Sequence, residues 1–235
     1  MVGWVFRPVI ATLYPQEGTL KLIIGNKNYS SWSLRPWLLL AFHQLEFEEL
    51  RIPLFMDNHE EKIKAYTGAG LVPVLEDGDL TVWDSLAICE YISEQYLSGA
   101  GWPADSETRA VARSCSAEMH SGFSNIRTNM PMNVRATNRK VVITPESKKE
   151  IDRINSLWTD LRNKYSKNGP WLFGEFSIAD CMFSPVVFRF NTYGVKLSDI
   201  ANEYMHFVLN HSLVGTWIQE SKNEKETVER SEVGI

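Results

Sequence analysis

Signals for β-strand stop after the first hundred residues of this 235-residue chain, and that break constrains the fold more than any other feature. Leu20–Ile24 is a short apolar run ending at Gly25, the pattern of a buried strand. Leu34–His43 reads as a helix with Pro36 in its first turn, where a missing N–H costs nothing. Phe47–Ile52 suits a second strand, and Glu60–Ala65 a short helix closed by Thr67, Gly68 and Gly70. Leu71–Leu75 and Leu80–Val82 flank Asp77-Gly78, a hairpin turn signal between two strands. Asp84–Tyr96 reads as a helix stopped by Ser98, Gly99 and Gly101. The order strand, helix, strand, helix, hairpin, helix describes an α/β unit with one crossover and an antiparallel edge.

Beyond Gly99–Asp105, the best linker, only helical periods remain. Val111, Cys115, Met119 and Phe123 recur every four residues, one face of a helix. Thr144-Pro145-Glu146 opens a helix whose Ile151, Ile154, Trp158, Leu161 and Tyr165 step by three and four, a buried stripe. Ser177-Ile-Ala-Asp180 has the spacing of a capping box. Ser198–Asn210 and Leu213–Gln219 complete the helices, and Met130–Asn133 is expected to break or kink the long one. Ser221–Ile235 mixes both charge signs with few apolar residues and reads as a mobile tail.

The formal net charge of −5, with no basic stripe against it, argues against nucleic acid as a partner. Cys89, Cys115 and Cys181 are odd in number and far apart, which fits buried thiols in a reducing compartment better than disulfides or a metal site. No apolar run nears the roughly 18 residues of a membrane span, and Met1–Ile10 lacks the apolar core of a secretory signal, so the expected location is the cytoplasm, with no membrane partner. His120 and His206 lie in helical patterns without ligand partners and read as structural.

Four patches, in order, resemble the glutathione transferase superfamily in a serine-type, zeta-like, bacterial-style form. They are Asn28-Tyr-Ser-Ser-Trp-Ser-Leu-Arg-Pro-Trp37 after the first strand, Leu71-Val-Pro-Val-Leu75, Asp84-Ser85, and Phe176-Ser-Ile-Ala-Asp180. Each is weak singly, but four at matching separations on suitable elements carry the resemblance over roughly 20–220. It implies an N-terminal extension over 1–19, a thioredoxin-like glutathione-binding domain over 20–98, a linker over 99–105, an all-helical domain over 106–220 and a disordered tail over 221–235.

The resemblance also implies roles. A hydroxyl in the serine loop donates to the glutathione sulfur, so Ser30 is the expected catalytic residue, with Ser31 and Ser33 as further glutathione contacts. Read without the resemblance, all three serines serve equally as helix caps. Val72-Pro73 is expected as a cis pair whose backbone meets the cysteinyl portion of glutathione, where the alternative is a proline opening an edge strand. Asp84 and Ser85 are expected at the γ-glutamyl carboxylate, although capping alone explains Asp84. Ser177 and Asp180 serve folding. The glycyl carboxylate has no obvious partner, with His43, Lys62 and Lys64 as options. A second-substrate cleft between the domains would draw on Phe123, Met130, Met132, Tyr193, Arg127 and Arg135.

The implied activity is conjugation of glutathione, as substrate or cofactor and without a metal, to a small electrophile in a detoxifying transferase, with homodimer assembly. The alternatives are a glutathione-dependent cis–trans isomerase of the maleylacetoacetate type and a non-catalytic regulatory protein on the same fold.

Overall fold

The computed structural model describes residues 20–234, so the expected N-terminal extension lies outside the described residues. The first unit runs β1 (Leu20–Ile24), α1 (Ser31–Phe42), β2 (Phe47–Arg51), α2 (His59–Lys64), β3 (Val74–Asp77), β4 (Leu80–Trp83) and α3 (Ser85–Tyr96). The strands form one sheet in the order β2-β1-β3-β4, with β1 and β2 parallel and the other pairs antiparallel. Alternate residues of β1 explain the layers. Leu22 and Ile24 face the large core shared with α1 and α3, whereas Ile23 faces a small cluster with Ile52, Ile63 and Val74 beneath α2.

Two sequence expectations shift here. Helix α1 begins at Ser31, not Leu34, which places Pro36 inside the helix instead of in its first turn. The strand expected over Leu71–Leu75 starts only at Val74, because the chain bends at a cis Val72–Pro73 bond and leaves Leu71 exposed.

The second unit is helical: α4 (Ser106–Ser121), α5 (Ser124–Asn129), α6 (Pro145–Tyr165), α7 (Ile178–Tyr193), α8 (Asp199–Asn210) and α9 (Ser212–Asn223). The long helix breaks earlier than Met130–Asn133. It ends at Gly122, where a Cβ would lie 2.8 Å from the Glu118 carbonyl oxygen, and Phe123 then takes φ 59°. The face of α4 is also turned relative to expectation. Val111 is 41% exposed, and Ala112 joins Cys115 and Met119 in the core. The α6 stripe of Ile151, Ile154, Trp158, Leu161 and Tyr165 is buried as the period requires, and all three cysteines are free and buried. Among the described residues no helix is long and apolar enough to cross a membrane.

Helix α7 is buried almost all round, with only Asn191 exposed, and α1 packs along it. A helix of this kind has no water to satisfy its first turn. Ser177 and Asp180 supply the capping box found in the sequence: the Asp180 carboxylate accepts from Ser177 N at 2.9 Å, Ser177 Oγ at 3.2 Å, Leu172 N at 3.0 Å and the Tyr204 hydroxyl at 3.1 Å. Burial raises its pKa to about 6 against these donors, so it remains an anionic acceptor at neutral pH.

The C-terminal stretch corrects the sequence reading. Helix α9 runs to Asn223, and the residues after it pack on the first unit and on the loop between α5 and α6, through residue 234, instead of trailing as a free tail. Its charged residues find fixed partners in space. Glu224 accepts from Lys27 N at 2.6 Å and Asn28 N at 3.0 Å, and Glu232 accepts from the Tyr29 hydroxyl at 2.7 Å and Asn133 Nδ2 at 2.8 Å.

Removing the Asp180 carboxylate leaves two buried backbone N–H groups, the Ser177 hydroxyl and a buried tyrosine hydroxyl without their acceptor. Asp180→Ala is expected to lower unfolding free energy by about 3–4 kcal/mol in urea denaturation. A loss below about 1 kcal/mol would show that the junction does not depend on this cap.

Candidate functional site

Gly25 follows β1 where a Cβ would lie 2.6 Å from Leu54 Cδ1 and 3.1 Å from Ser30 Cβ, so any larger residue here would have to displace the Leu54 side chain. The turn is held by the Asn26 carbonyl, which accepts from Tyr29 N at 3.1 Å and Ser30 N at 2.8 Å. It delivers Ser30 to the N-cap of α1. Ser33 Oγ accepts from Gly25 N at 3.0 Å and lies 2.7 Å from Ser30 Oγ. Ser31 Oγ accepts from Arg189 Nη2 at 3.2 Å.

A cavity of about 880 Å³ opens over this helix start. Ser30, Ser31 and Trp32 form its floor, Val72 one side, and Arg127 and Arg189 of the helical unit the other. The cap position is favourable for an anion, because the positive end of the helix dipole lies there. Ser33 is not on the cavity. It is fully buried, with its hydroxyl on Ser30 Oγ.

Positive charge is concentrated behind the floor. Arg35 is wholly buried, donates from Nη1 to Ser85 Oγ at 3.1 Å, and lies 4.2 Å from the Trp32 ring centre. Arg127 stands 4.7 Å from the same ring. Burial first, and repulsion from Arg127 second, lower both Arg35 and Arg189 to about 9, so both stay charged at neutral pH. Arg127 donates to the Gly122 and Met119 carbonyls, and Arg189 to those of Met130 and Arg127 besides Ser31 Oγ. Arg35 Nε and Nη2 have no partner. Guanidinium groups held this way, without carboxylates of their own, make the floor receptive to an anion.

Asp84 caps α3 with φ 74°, its Oδ1 accepting from Leu86 N at 2.9 Å and Ala87 N at 3.1 Å. Its Oδ2 lies 3.1 Å from His120 Nε2. Burial lowers the His120 pKa, so the ring is neutral at neutral pH and the contact is not an ion pair. Neither Asp84 nor Ser85 lines the Ser30 cavity, and Ser85 is only 1% exposed. Trp32 links the two places, since it borders the cavity and packs against Arg35 and His120, the contacts of Ser85 and Asp84.

Among the glycyl options, Lys64 lines the cavity together with His59, while His43 and Lys62 do not. Of the second-substrate candidates, Met132 and Arg127 line it. Phe123 and Met130 belong to the core, and the Tyr193 hydroxyl donates to the Pro131 carbonyl. Arg135 instead grips the C-terminal stretch, donating to the Glu224 carbonyl and, at 2.8 Å, to that of Glu226. That stretch supplies Arg230 and Ser231 to the cavity wall, with Arg230 3.7 Å from the Phe55 ring centre. The sequence reading missed Arg35, Arg189 and Arg230. The first two carried a signal, each being a lone arginine inside an apolar helical run.

Residues 29–95 match the family model described as the N-terminal domain of glutathione S-transferase. A dichloromethane dehalogenase from Methylophilus leisingeri is 39% identical over 62 residues, a match covering 26% of this chain and only 23% of that relative's length. Glutathione S-transferase Z2 from Arabidopsis thaliana is 25% identical over 183 residues, covering 73% of this chain and 79% of that protein. Among solved structures, a glutathione transferase homologue from Burkholderia with bound glutathione superposes with a TM-score of 0.68 at 22% identity, covering 88% of this chain and 100% of that one. A thioredoxin-like unit with this domain signature, joined to a helical unit in this arrangement, is the glutathione transferase fold. The chain has that fold, and residues 29–95 carry the family's N-terminal domain signature.

Cutting the chain after Asn223 would strip Lys27 N and Asn28 N of their acceptor and take away one wall of the cavity. The truncated protein is expected to lose about 3 kcal/mol, or about 6–12 °C in Tm, by calorimetry. An unchanged Tm would mean that the C-terminal stretch is dispensable.

Proposed function

We propose that the protein is a glutathione transferase that binds glutathione in the Ser30 cavity and presents its sulfur as a thiolate to a small electrophile. The observation that carries this reading is the Ser30 hydroxyl at the N-cap of α1, on the floor of the cavity. A free thiol titrates near about 8.5, so only a few per cent is ionised at neutral pH. A hydroxyl donor, the helix N-terminus and the nearby Arg189 all favour the anion, and each pKa unit gained is worth about 1.4 kcal/mol. The thiol proton leaves to solvent before attack. The thiolate electron pair then forms the C–S bond as the electrophile's leaving group departs with the pair of the broken bond.

In this reading the Val72 backbone pairs with the cysteinyl portion, Ser31 borders the sulfur, and the γ-glutamyl carboxylate sits at the start of α3. There Asp84 fixes the helix end and Ser85 offers its N–H and hydroxyl. Lys64 is the side chain best placed for the glycyl carboxylate. Assembly as a twofold homodimer fits the exposure of Trp83, 56%, and of Val111, 41%. Tyr91 and Tyr96 of α3 contribute less to that surface, because both hydroxyls donate to Asp77 of the same chain.

Ser30→Ala is expected to lower turnover at least tenfold with little change in glutathione affinity, since the hydroxyl acts on the charged sulfur more than on the bound tripeptide. Survival of the ultraviolet thiolate band in that variant would reject the role of Ser30. Ser85→Ala is expected to weaken glutathione binding by ~1–3 kcal/mol in calorimetry, the scale of a hydrogen bond to a charged group. Unchanged affinity would remove α3 from the site. Whether glutathione is consumed or recovered after turnover separates conjugation from isomerisation.

A further inference from the structure

Ser33 is wholly buried in the first turn of α1, and its hydroxyl has a single proton to place. Its oxygen accepts the Gly25 N–H at 3.0 Å, and its one other side-chain neighbour within hydrogen-bond distance is Ser30 Oγ at 2.7 Å. Either oxygen of that pair can be the donor on distance alone, but the surroundings decide the direction. If Ser30 gave its proton to Ser33, the Ser33 proton would be left unpaired in a site closed to water, which costs its full desolvation. If Ser33 gives its proton to Ser30, every polar atom of Ser33 is satisfied. The Ser30 proton is then released toward the cavity that Ser30 lines.

We infer that Ser33 is a positioning residue: its hydroxyl relays the Gly25 N–H to Ser30 and turns the Ser30 proton outward, toward the sulfur of a bound thiol. The inference rests on the reading of Ser30 as the donor to that sulfur. The chain runs Gly25 N–H to Ser33 Oγ, Ser33 O–H to Ser30 Oγ, and Ser30 O–H to the thiolate, with every donor pointing the same way. Each bond in such a chain polarises the next, so Ser30 becomes a stronger donor than an isolated serine. No proton is transferred along it, and the chain only orients. The arrangement also assigns separate tasks to the three serines of the loop. Ser30 faces the ligand, Ser33 aims Ser30, and Ser31 takes its orientation from Arg189.

The test is a pH titration of the ultraviolet thiolate band of glutathione bound to the full-length protein. Ser33→Ala should move the midpoint upward, cutting the thiolate fraction at neutral pH by about three- to tenfold, the effect of one hydrogen bond. Glutathione affinity should stay within about twofold, and kcat should fall with KM nearly constant. In a Ser30→Ala background the same substitution should change nothing further, because the relay then has no recipient facing the ligand. A purely structural Ser33 would lower thermal stability and leave the midpoint where it was, and that result overturns the inference. So would equal effects of Ser33→Ala with and without Ser30. If Ser33→Ala does not fold, Ser33→Cys keeps the volume with a weak donor. An upward midpoint then supports the relay, and an unmoved one rejects it. Absence of any thiolate band in the unsubstituted protein would instead overturn the Ser30 reading and this inference with it.

Discussion

The close approach at Gly25 sets the geometry on which the site depends. With Leu54 pressed where a Cβ would stand, the chain leaves β1 tightly enough for Ser33 of α1 to reach back and accept the Gly25 N–H. That bond ties the last residue after the central strand to the first turn of the helix packed over it. The position of Ser30 follows, because it is the residue caught between the two.

The helical unit contributes by being rigid where it touches this turn. Helix α7 lies against α1 with almost its whole surface buried, and the Asp180 carboxylate satisfies its first turn from inside. From this fixed helix Arg189 reaches Ser31 at 3.2 Å. A second constraint comes from the far end of the chain, where Glu224 accepts two consecutive N–H groups, those of Lys27 and Asn28, just ahead of Ser30. Burial raises the Glu224 pKa, while these two donors favour its charged form. The turn bearing Ser30 is thus held by the strand before it, the helix beside it and the chain's last residues. Such support from several directions is what a site needs if its donors are to be in place before a ligand arrives.

Much of this was legible in the sequence because it follows from periodicity. The bounds of β1, the α6 stripe and the capping box at Ser177 each depend on residues close together in the chain, and each appears where the pattern puts it. The serine loop was recognisable as well, but its internal order was not. Only the contact between Ser33 and Gly25, eight residues apart, shows which serine faces the cavity and which is buried. Two further features depend on long-range contacts that no local pattern encodes. Charged residues near the C-terminus resemble a free tail until Glu224 meets Lys27 N, 197 positions away. An arginine in an apolar helix, such as Arg189, gives a local hint of function without naming its partner, Ser31, 158 positions away.

The central claim is that the cavity over α1 holds glutathione with its sulfur at Ser30, and a crystal structure of the protein with glutathione tests it most directly. The account predicts the sulfur within hydrogen-bonding distance of Ser30 Oγ, the cysteinyl backbone along Val72, and Ser33 Oγ still between Ser30 Oγ and Gly25 N. Glutathione bound with its sulfur away from Ser30, or in a different cavity, would contradict it.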